Sequence, residues 1–305
     1  MLQYYDLNTY LKNTFGKKIY KLSLDAGFTC PNRDGKIGTK GCSFCSAGGS
    51  GDFAASRERS VTEQIEEAKQ RIRNKLPKSE EVGYLAYFQA FTNTYAPVDV
   101  LRKIYEEAME APGVVAISVA TRPDCLQPEA VALLEELNRK KPVFVELGLQ
   151  TMHEESAVRI RRGYPLTVFE DAVKRLDKAG VKTVVHLILG LPYETKKDML
   201  ESVQYVSRLP IHGVKLQLLH LLEGTDMGEA YKAMSAEERE KTFACLSMDA
   251  YLDTVAECLK KIPPTMVIHR LTGDGPKRIL IAPQWSGNKK AVLNALTKKI
   301  RTEGE

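Results

Sequence analysis

The chain of 305 residues has no apolar run approaching the ~18 positions that a membrane-spanning helix needs. Its opening residues, MLQYYDLNTYLKN, lack the charged-then-apolar order of a secretory leader, so a soluble, cytoplasmic protein with no membrane partner is expected. There is one tryptophan, Trp285, and five histidines, the first of them His153. The amino-terminal part of the chain therefore offers no imidazole to a metal. Cysteine is sparse, at six residues. In a reducing compartment these are metal ligands or core residues rather than disulfides. No internal repeat is visible. Apolar residues at 43% and charged residues at 27% lie near globular averages, which excludes a disordered chain, a collagen and a coiled-coil rod.

The formal charge of +5 is unevenly placed. Residues 266–305 hold eight basic side chains (Arg270, Lys277, Arg278, Lys289, Lys290, Lys298, Lys299, Arg301) against three acidic ones (Asp274, Glu303, Glu305), so the rest of the chain is neutral. A neutral body with a basic tail has two readings. One is a polyanionic partner, most simply a nucleic acid; the other is a solvated helix end.

Short β-branched runs alternate with amphipathic stretches. Strands are predicted at 19–24, 83–89, 114–120, 142–149, 182–189 and 213–219. Their near-continuous apolar character is that of parallel strands covered on both faces. Helical periodicity fills 61–76, 97–110, 128–140 and 166–180, the second and third opening on first-turn prolines and the last ending on a glycine. Six βα units in series predict a parallel sheet, either an open barrel or a doubly wound sheet. After about residue 230 the rhythm breaks. A long helix is predicted from Ser235 to Pro263 and a short strand at 265–271, giving an appended layer over 231–305 that closes one side of the sheet.

The loop after the first of these strands reads LDAGFTCPNRDGKIGTKGCSFCSAGGSGDF and carries Cys30, Cys42 and Cys45 in C-x11-C-x2-C spacing. The C-x2-C pair lets two thiolates reach one metal centre from a tight turn. No fourth cysteine or histidine lies near. A structural zinc site wants four protein ligands, whereas a [4Fe–4S] cluster on three thiolates keeps one iron open for a substrate or cofactor. A zinc site with a distant fourth ligand, and three unrelated thiols, remain as alternatives. Loops at the carboxyl ends of parallel strands are also where α/β proteins place their chemistry. Cys125, Cys245 and Cys258 read as buried core residues.

Three cysteines after the first strand of a βα series resemble the radical S-adenosylmethionine (SAM) superfamily. More narrowly, the cysteine string resembles that of the YtqA/YhcC-like radical SAM proteins, relatives of the catalytic subunit of Elongator. The likeness continues in ATRPDCL (120–126), VELGLQTMHEESAVRIRRGY (145–164), VHLILGLPYET (185–195), LQLLHLLEGT (216–225) and VIHRLTGDGPKRILIAP (267–283). The resemblance implies an α/β fold, an incomplete (β/α)6 TIM-like barrel over 1–230 with a basic C-terminal α/β extension over 231–305 as a tRNA-binding surface. It implies a [4Fe–4S] cluster on Cys30, Cys42 and Cys45, with SAM chelating the open iron.

Among SAM contacts, the resemblance places Gln89 and Ala90 where relatives carry a glycine-rich stretch that receives the amino group. It places Gln150 at the ribose, Arg162 on the methionine carboxylate and His186 at a polar contact. Thr121 would supply a ribose contact in place of a glutamate that is Ala120 here. Read without the resemblance, Arg162 belongs to a solvated helix face with Arg159 and Arg161, and His186 is a core histidine. Gln217 either faces the barrel interior or packs in the core. His269, Arg270 and Asp274 either line a substrate mouth or form a tight turn.

The activity implied is maturation of the tRNA wobble uridine, converting 5-carboxymethylaminomethyluridine to 5-aminomethyluridine. The partners implied are tRNA, an electron donor such as flavodoxin or ferredoxin, and a tRNA methyltransferase acting next. Acetyl transfer is not expected, since the chain leaves no length for Elongator's acetyltransferase domain. A radical SAM enzyme acting on a small molecule or peptide, and a non-enzymatic zinc-binding nucleic-acid module, are the competing readings.

Overall fold

A computed structural model describes residues 4–49, 51, 54–77, 81–273 and 275–302. A two-residue strand β1 (Tyr5–Asp6) and helix α1 (Leu7–Phe15) precede β2 (Lys18–Leu24). Then follow α2 (Val61–Ile72), β3 (Val82–Phe88), α3 (Val98–Glu110), β4 (Val114–Thr121), α4 (Pro128–Asn138) and β5 (Val143–Gln150). Two helices, α5 (Glu154–Arg159) and α6 (Leu166–Lys178), lead to β6 (Lys182–Leu189), α7 (Lys196–Val206) and β7 (Gly213–Leu218). The remainder is β8 (Leu221–Leu222), α8 (Asp226–Ala233), α9 (Ala236–Thr242), α10 (Met248–Lys261), β9 (Val267–Arg270), β10 (Leu280–Ala282) and α11 (Lys289–Thr302).

Eight strands make one sheet in the order β1-β9-β7-β6-β5-β4-β3-β2, and every neighbouring pair is parallel. The sheet curls. Lys215 on β7 donates to the Tyr87 hydroxyl on β3 at 3.2 Å with three strands between them, a reach that a flat sheet with ~4.8 Å spacing forbids. The fold is thus the expected incomplete barrel, and all six predicted strands are in it.

Alternation sorts each strand onto two sides. Leu22, Phe88, Val119, Val145, Leu147, Val185 and Leu187 face outward into the helix-covered core. Helix α6 shows how that layer is built: Phe169, Ala172, Val173 and Leu176 recur at helical spacing and are all buried. Each large apolar side chain sealed this way stabilises the fold by about 1.5–3 kcal/mol. Ser60 caps α2 in a reciprocal box with Glu63, which fixes where the helix begins.

The inner side is layered. Ile19, Leu85, Ala116, Phe144 and Val184 form an apolar plug at the amino ends of the strands, with Leu11 of α1 packed beneath it. Two residues further along each strand the lumen turns polar, and the carboxyl ends open into a cavity.

Three expectations are corrected here. The helix predicted from Ser235 to Pro263 is two helices, α9 and α10. Phe243 and Cys245 turn inward between them, both buried, and Ser247 starts a new N-cap. The strand predicted at 265–271 is not part of an outer layer: β9 lies within the main sheet between β1 and β7. Pro97 sits at the N-cap of α3 rather than in its first turn. Beyond the sheet, α10 packs on α7 and α11 on α10.

Candidate active site

The loop between β2 and α2 brings Cys30, Cys42 and Cys45 to one cavity of about 370 Å³ at the carboxyl ends of the strands. Hydrogen bonds hold its path. The Arg33 guanidinium donates to the carbonyls of Cys45 (2.8 Å) and Ser46 (2.7 Å), closing the turn that carries the C-x2-C pair. Asn32 donates to the Arg161 carbonyl at 2.7 Å and approaches the Cys42 Sγ at 3.6 Å. Arg161 donates back to the Gly41 carbonyl at 3.1 Å and pairs with Asp226 at 2.6 Å. The Ser43 amide donates to Ile160 O at 3.0 Å. Arg161 is therefore a tie between the cysteine loop, the end of α5 and the start of α8, not a bystander on a solvated face. Gly49 is in the left-handed region at φ +58, and a Cβ there would sit 2.4 Å from the Phe91 ring, so only glycine closes the loop on the segment after β3.

The donor set fits a cluster better than a single ion. Thiolates in a tetrahedral zinc site, with Zn–S about 2.3 Å, lie about 3.8 Å apart. Among the described residues the set whose ligand atoms all fall within 4.8 Å of one another is His153, Asp198 and Glu201, and the three cysteines are not such a set. Three thiols spread around a shared opening suit the larger span of a [4Fe–4S] cube and leave one iron for a further ligand. Burial, then the neighbouring Cys45 thiol, pushes Cys42 up to about 11, while Arg122 opposes this.

The predicted SAM contacts are distributed unevenly. Gln89, Thr121, Gln150, Arg162 and His186 all line the cavity. Ala90 does not: it is fully buried, and a Cβ added at Gly51 would meet its Cβ at 2.6 Å. Gln150 ends β5 with φ 71, and its amide folds back over Gly148, whose missing side chain leaves the room. The Gln150 Oε1 is sealed from solvent and meets no partner in the protein. An acceptor left bare in a cavity is an invitation to a donor on a ligand, such as a ribose hydroxyl.

Arg162 is 2% exposed. Its Nε donates to Tyr164 O (3.0 Å), its Nη1 to Thr151 O (2.7 Å) and Leu149 O (3.3 Å), and its Nη2 pairs with Glu154 (3.3 Å). Where the resemblance gives this guanidinium to the SAM carboxylate, the structure gives it protein partners at the β5–α5 junction. Thr121 is hydrogen-bonded to Thr94 at 2.6 Å. Asp274 lies outside the described residues; His269 and Arg270 are on β9, and Arg270 lines the cavity.

The polar lumen layer carries residues that the motifs did not single out. Glu146 on β5 is fully buried; it accepts from Ser118 (2.7 Å) and Lys21 (3.2 Å), and it pairs with Lys215. Burial alone would raise its carboxyl, but Lys21 and Lys215 outweigh that and hold it well below the usual carboxylate range. His186 Nε2 lies 2.8 Å from the same carboxylate and Nδ1 lies 3.3 Å from the Gln217 amide. Burial, with Lys215 beside it, lowers His186 to about 4, so it is neutral, donating through Nε2 and accepting at Nδ1. Gln217 faces the interior. A signal was present: Lys21, Glu146 and Lys215 are single charges interrupting otherwise apolar parallel strands, where a charge needs a partner or a function.

Backbone strain sits at the same end of the barrel. Among the described residues four non-glycine positions have positive φ: Phe91, Gln150, Arg161 and Tyr193. Each follows or ends an element at the carboxyl side of the sheet, where such outliers mark functional ground.

A curled parallel sheet with three thiols in the loop after its first long strand is the arrangement of a cluster-dependent radical enzyme. The chain belongs to the radical SAM superfamily: residues 33–206 match that family and residues 211–302 match the radical SAM C-terminal domain. It is 44% identical over 302 residues to the protein YtqA of Bacillus subtilis, covering 99% of this chain and 91% of that one. It is 34% identical to the protein YhcC of Escherichia coli K12, covering 96% and 91%. Elongator complex protein 3 of Schizosaccharomyces pombe is 26% identical over 60% of this chain and 32% of its own length. Among solved structures, the archaeal Methanocaldococcus infernus Elp3 superposes with a TM-score of 0.65 at 15% identity, over 93% of this chain and 63% of that one. That likeness shows the shared fold. The cofactors are a [4Fe–4S] cluster and SAM. No helix among the described residues is long and apolar enough to cross a membrane.

Proposed function

We propose that this radical SAM enzyme matures the wobble uridine of tRNA, converting a carboxymethylaminomethyl group to aminomethyl. When bound, cluster and SAM supply a 5′-deoxyadenosyl radical that abstracts hydrogen. The substrate's methylene between amine and carboxylate is the activated position. Loss of hydrogen there, then of one further electron to the oxidised form of a flavodoxin or ferredoxin partner and of a proton, gives an imine; hydrolysis frees a two-carbon aldehyde acid and leaves the aminomethyl group. The apolar plug and α1 close the lumen from below, so water reaches the chemistry from the mouth alone.

The observation that carries the tRNA reading is where the basic residues fall. The segment from β9 to β10 lines the cavity with Gly273 and Pro276, and exposed Lys277 and Arg278 follow at once. Helix α11 adds Lys290, Lys298 and Arg301 on its exposed side while Val292, Leu296 and Ile300 bury the other. A polyanion could thus lie beside the mouth while one base enters it, at a cost of a few kcal/mol for unstacking. An electron donor such as a flavodoxin or ferredoxin, and a methyltransferase taking the product, complete the proposal.

The test is nucleoside mass spectrometry of tRNA from a deletion strain. Carboxymethylaminomethyluridine should accumulate at the expense of aminomethyl-derived nucleosides, and the parent gene, not its Cys30→Ala form, should reverse this. An unchanged nucleoside profile overturns the reading and returns the enzyme to a small molecule or peptide.

A further inference from the structure

We infer that the polar layer of the lumen is a carboxylate-recognition site: the Arg270 guanidinium, backed by Lys215 and Lys21, receives the carboxylate at the end of the substrate's side chain. This rests on the wobble-uridine reading for the identity of that side chain, and on the layer's own chemistry for its charge.

The first argument is an inventory. Among the described residues Lys21, Lys215 and Arg270 bring three basic groups to the layer, and Glu146 is the one acidic residue among those lining the cavity. Burial holds His186 and His269 neutral. Among the described residues the layer therefore sets three basic groups against one acid. Glu146 has no capacity left, since Ser118, His186, Lys21 and Lys215 already occupy it.

The second is Arg270 itself. It ends β9, pairs in register with Lys215 across the sheet, and lines the cavity half-buried. Among the described residues its guanidinium has no hydrogen bond or ion pair. Every other arginine lining the cavity, Arg33, Arg122 and Arg162, is anchored by carbonyls or a carboxylate. A planar fork of donors, unspent among the described residues and half-buried beside Lys215, is built for a planar anion. Burial depresses Lys215 well below its ordinary value, Glu146 opposes this, and Lys21 and Arg270 add to it; an added anion would favour its charged form.

The third is depth. Lys215, Arg270 and Glu146 lie below Gln217, Gln89 and Gly148, and the thiol loop closes the top. A carboxylate anchored at the layer would hold the adjacent methylene up towards the cluster end. The same contact would exclude a substrate that lacks the acid, because the cations would be left unpaired.

The experiment uses the cluster-loaded protein with SAM, under anaerobic calorimetry, and two probes: the nucleoside 5-carboxymethylaminomethyluridine and its methyl ester. The parent should bind the acid at least tenfold more tightly than the ester. Arg270→Gln should bring the two within about twofold, with iron content and SAM affinity unchanged, and Arg270→Lys should keep part of the preference. Equal affinity for acid and ester in the parent, or binding of neither, overturns the inference. So does a loss of SAM affinity in Arg270→Gln with the acid preference intact, which would give the site to SAM's own carboxylate. An acid preference that depends on Arg270, found with an unchanged tRNA profile in the deletion strain, upholds the carboxylate site and sinks the wobble-uridine reading alone.

Discussion

Single residues divide by whether their polar atoms are already satisfied. Arg162 has spent its donors on the carbonyls of Leu149, Thr151 and Tyr164. Removing it leaves buried acceptors bare, at about 1–3 kcal/mol each before relaxation. Arg162→Ala should therefore lower the unfolding midpoint of the cluster-free protein, read by thermal melting; an unchanged midpoint would mean those bonds are not holding the β5–α5 junction. Gln150 is the reverse case, with its Oε1 sealed and unpartnered. Gln150→Ala should leave the midpoint alone and weaken SAM binding about 3–10-fold, the worth of one hydrogen bond. The cysteines are the residues read most directly from sequence, because three thiols without a fourth ligand constrain the chemistry on their own. Reconstituted protein should hold about four irons per chain, and Cys42→Ala should lose most of them; full iron and colour in that variant would remove the cluster assignment. Glu146 and Lys215 are hard to see in the sequence because a lone charge in a strand is absorbed into an apolar run, while its partner lies on a strand distant in sequence.

At the scale of elements, periodicity locates six strands and four helices to within a few residues, since each is long enough to show its repeat. It fails where the element is short or where one residue turns inward. β1 spans two residues and has no period to read. The break between α9 and α10 comes from Phe243 and Cys245 entering the core, a tertiary event. Helix α11 shows in the sequence mainly as charge, yet its buried Val292, Leu296 and Ile300 fix which side its lysines present. Lys299 is partly taken by Asp253 of α10, so it contributes less to any polyanion surface than its charge suggests. Lys290 and Arg301 are exposed. Reversing both to Glu should weaken tRNA binding and flatten the dependence of log affinity on log salt, by roughly 0.7–0.9 for each phosphate no longer neutralised. Filter binding across a salt series reads both; if affinity and slope stay at parent values, α11 is a solvated face.

The whole barrel is held around a buried polar layer, and that gives its stability a pH signature. In the folded chain His186 titrates at about 4, against 6.5 for an unperturbed imidazole, because burial and Lys215 disfavour its charged form. The unfolded chain therefore takes up the proton first as pH falls. The stability due to this histidine is fully present above about 6.5 and declines between 6.5 and 4. At 1.36 kcal/mol per pKa unit the loss is on the order of 3 kcal/mol. His212, lowered to about 4 by burial at the foot of the barrel, drifts the same way. Glu146 adds to the fall only at lower pH, since its folded value is well below the carboxylate range and its stabilisation is lost as pH drops through that value. Urea unfolding of the cluster-free protein should therefore show a steady decline in stability from about pH 6.5 to about pH 4. His186→Gln keeps a donor for Glu146 and an acceptor for Gln217 but has no proton to gain, so it should make the decline shallower by the share of one histidine. A slope in His186→Gln as steep as in the parent would place the acid sensitivity elsewhere in the molecule.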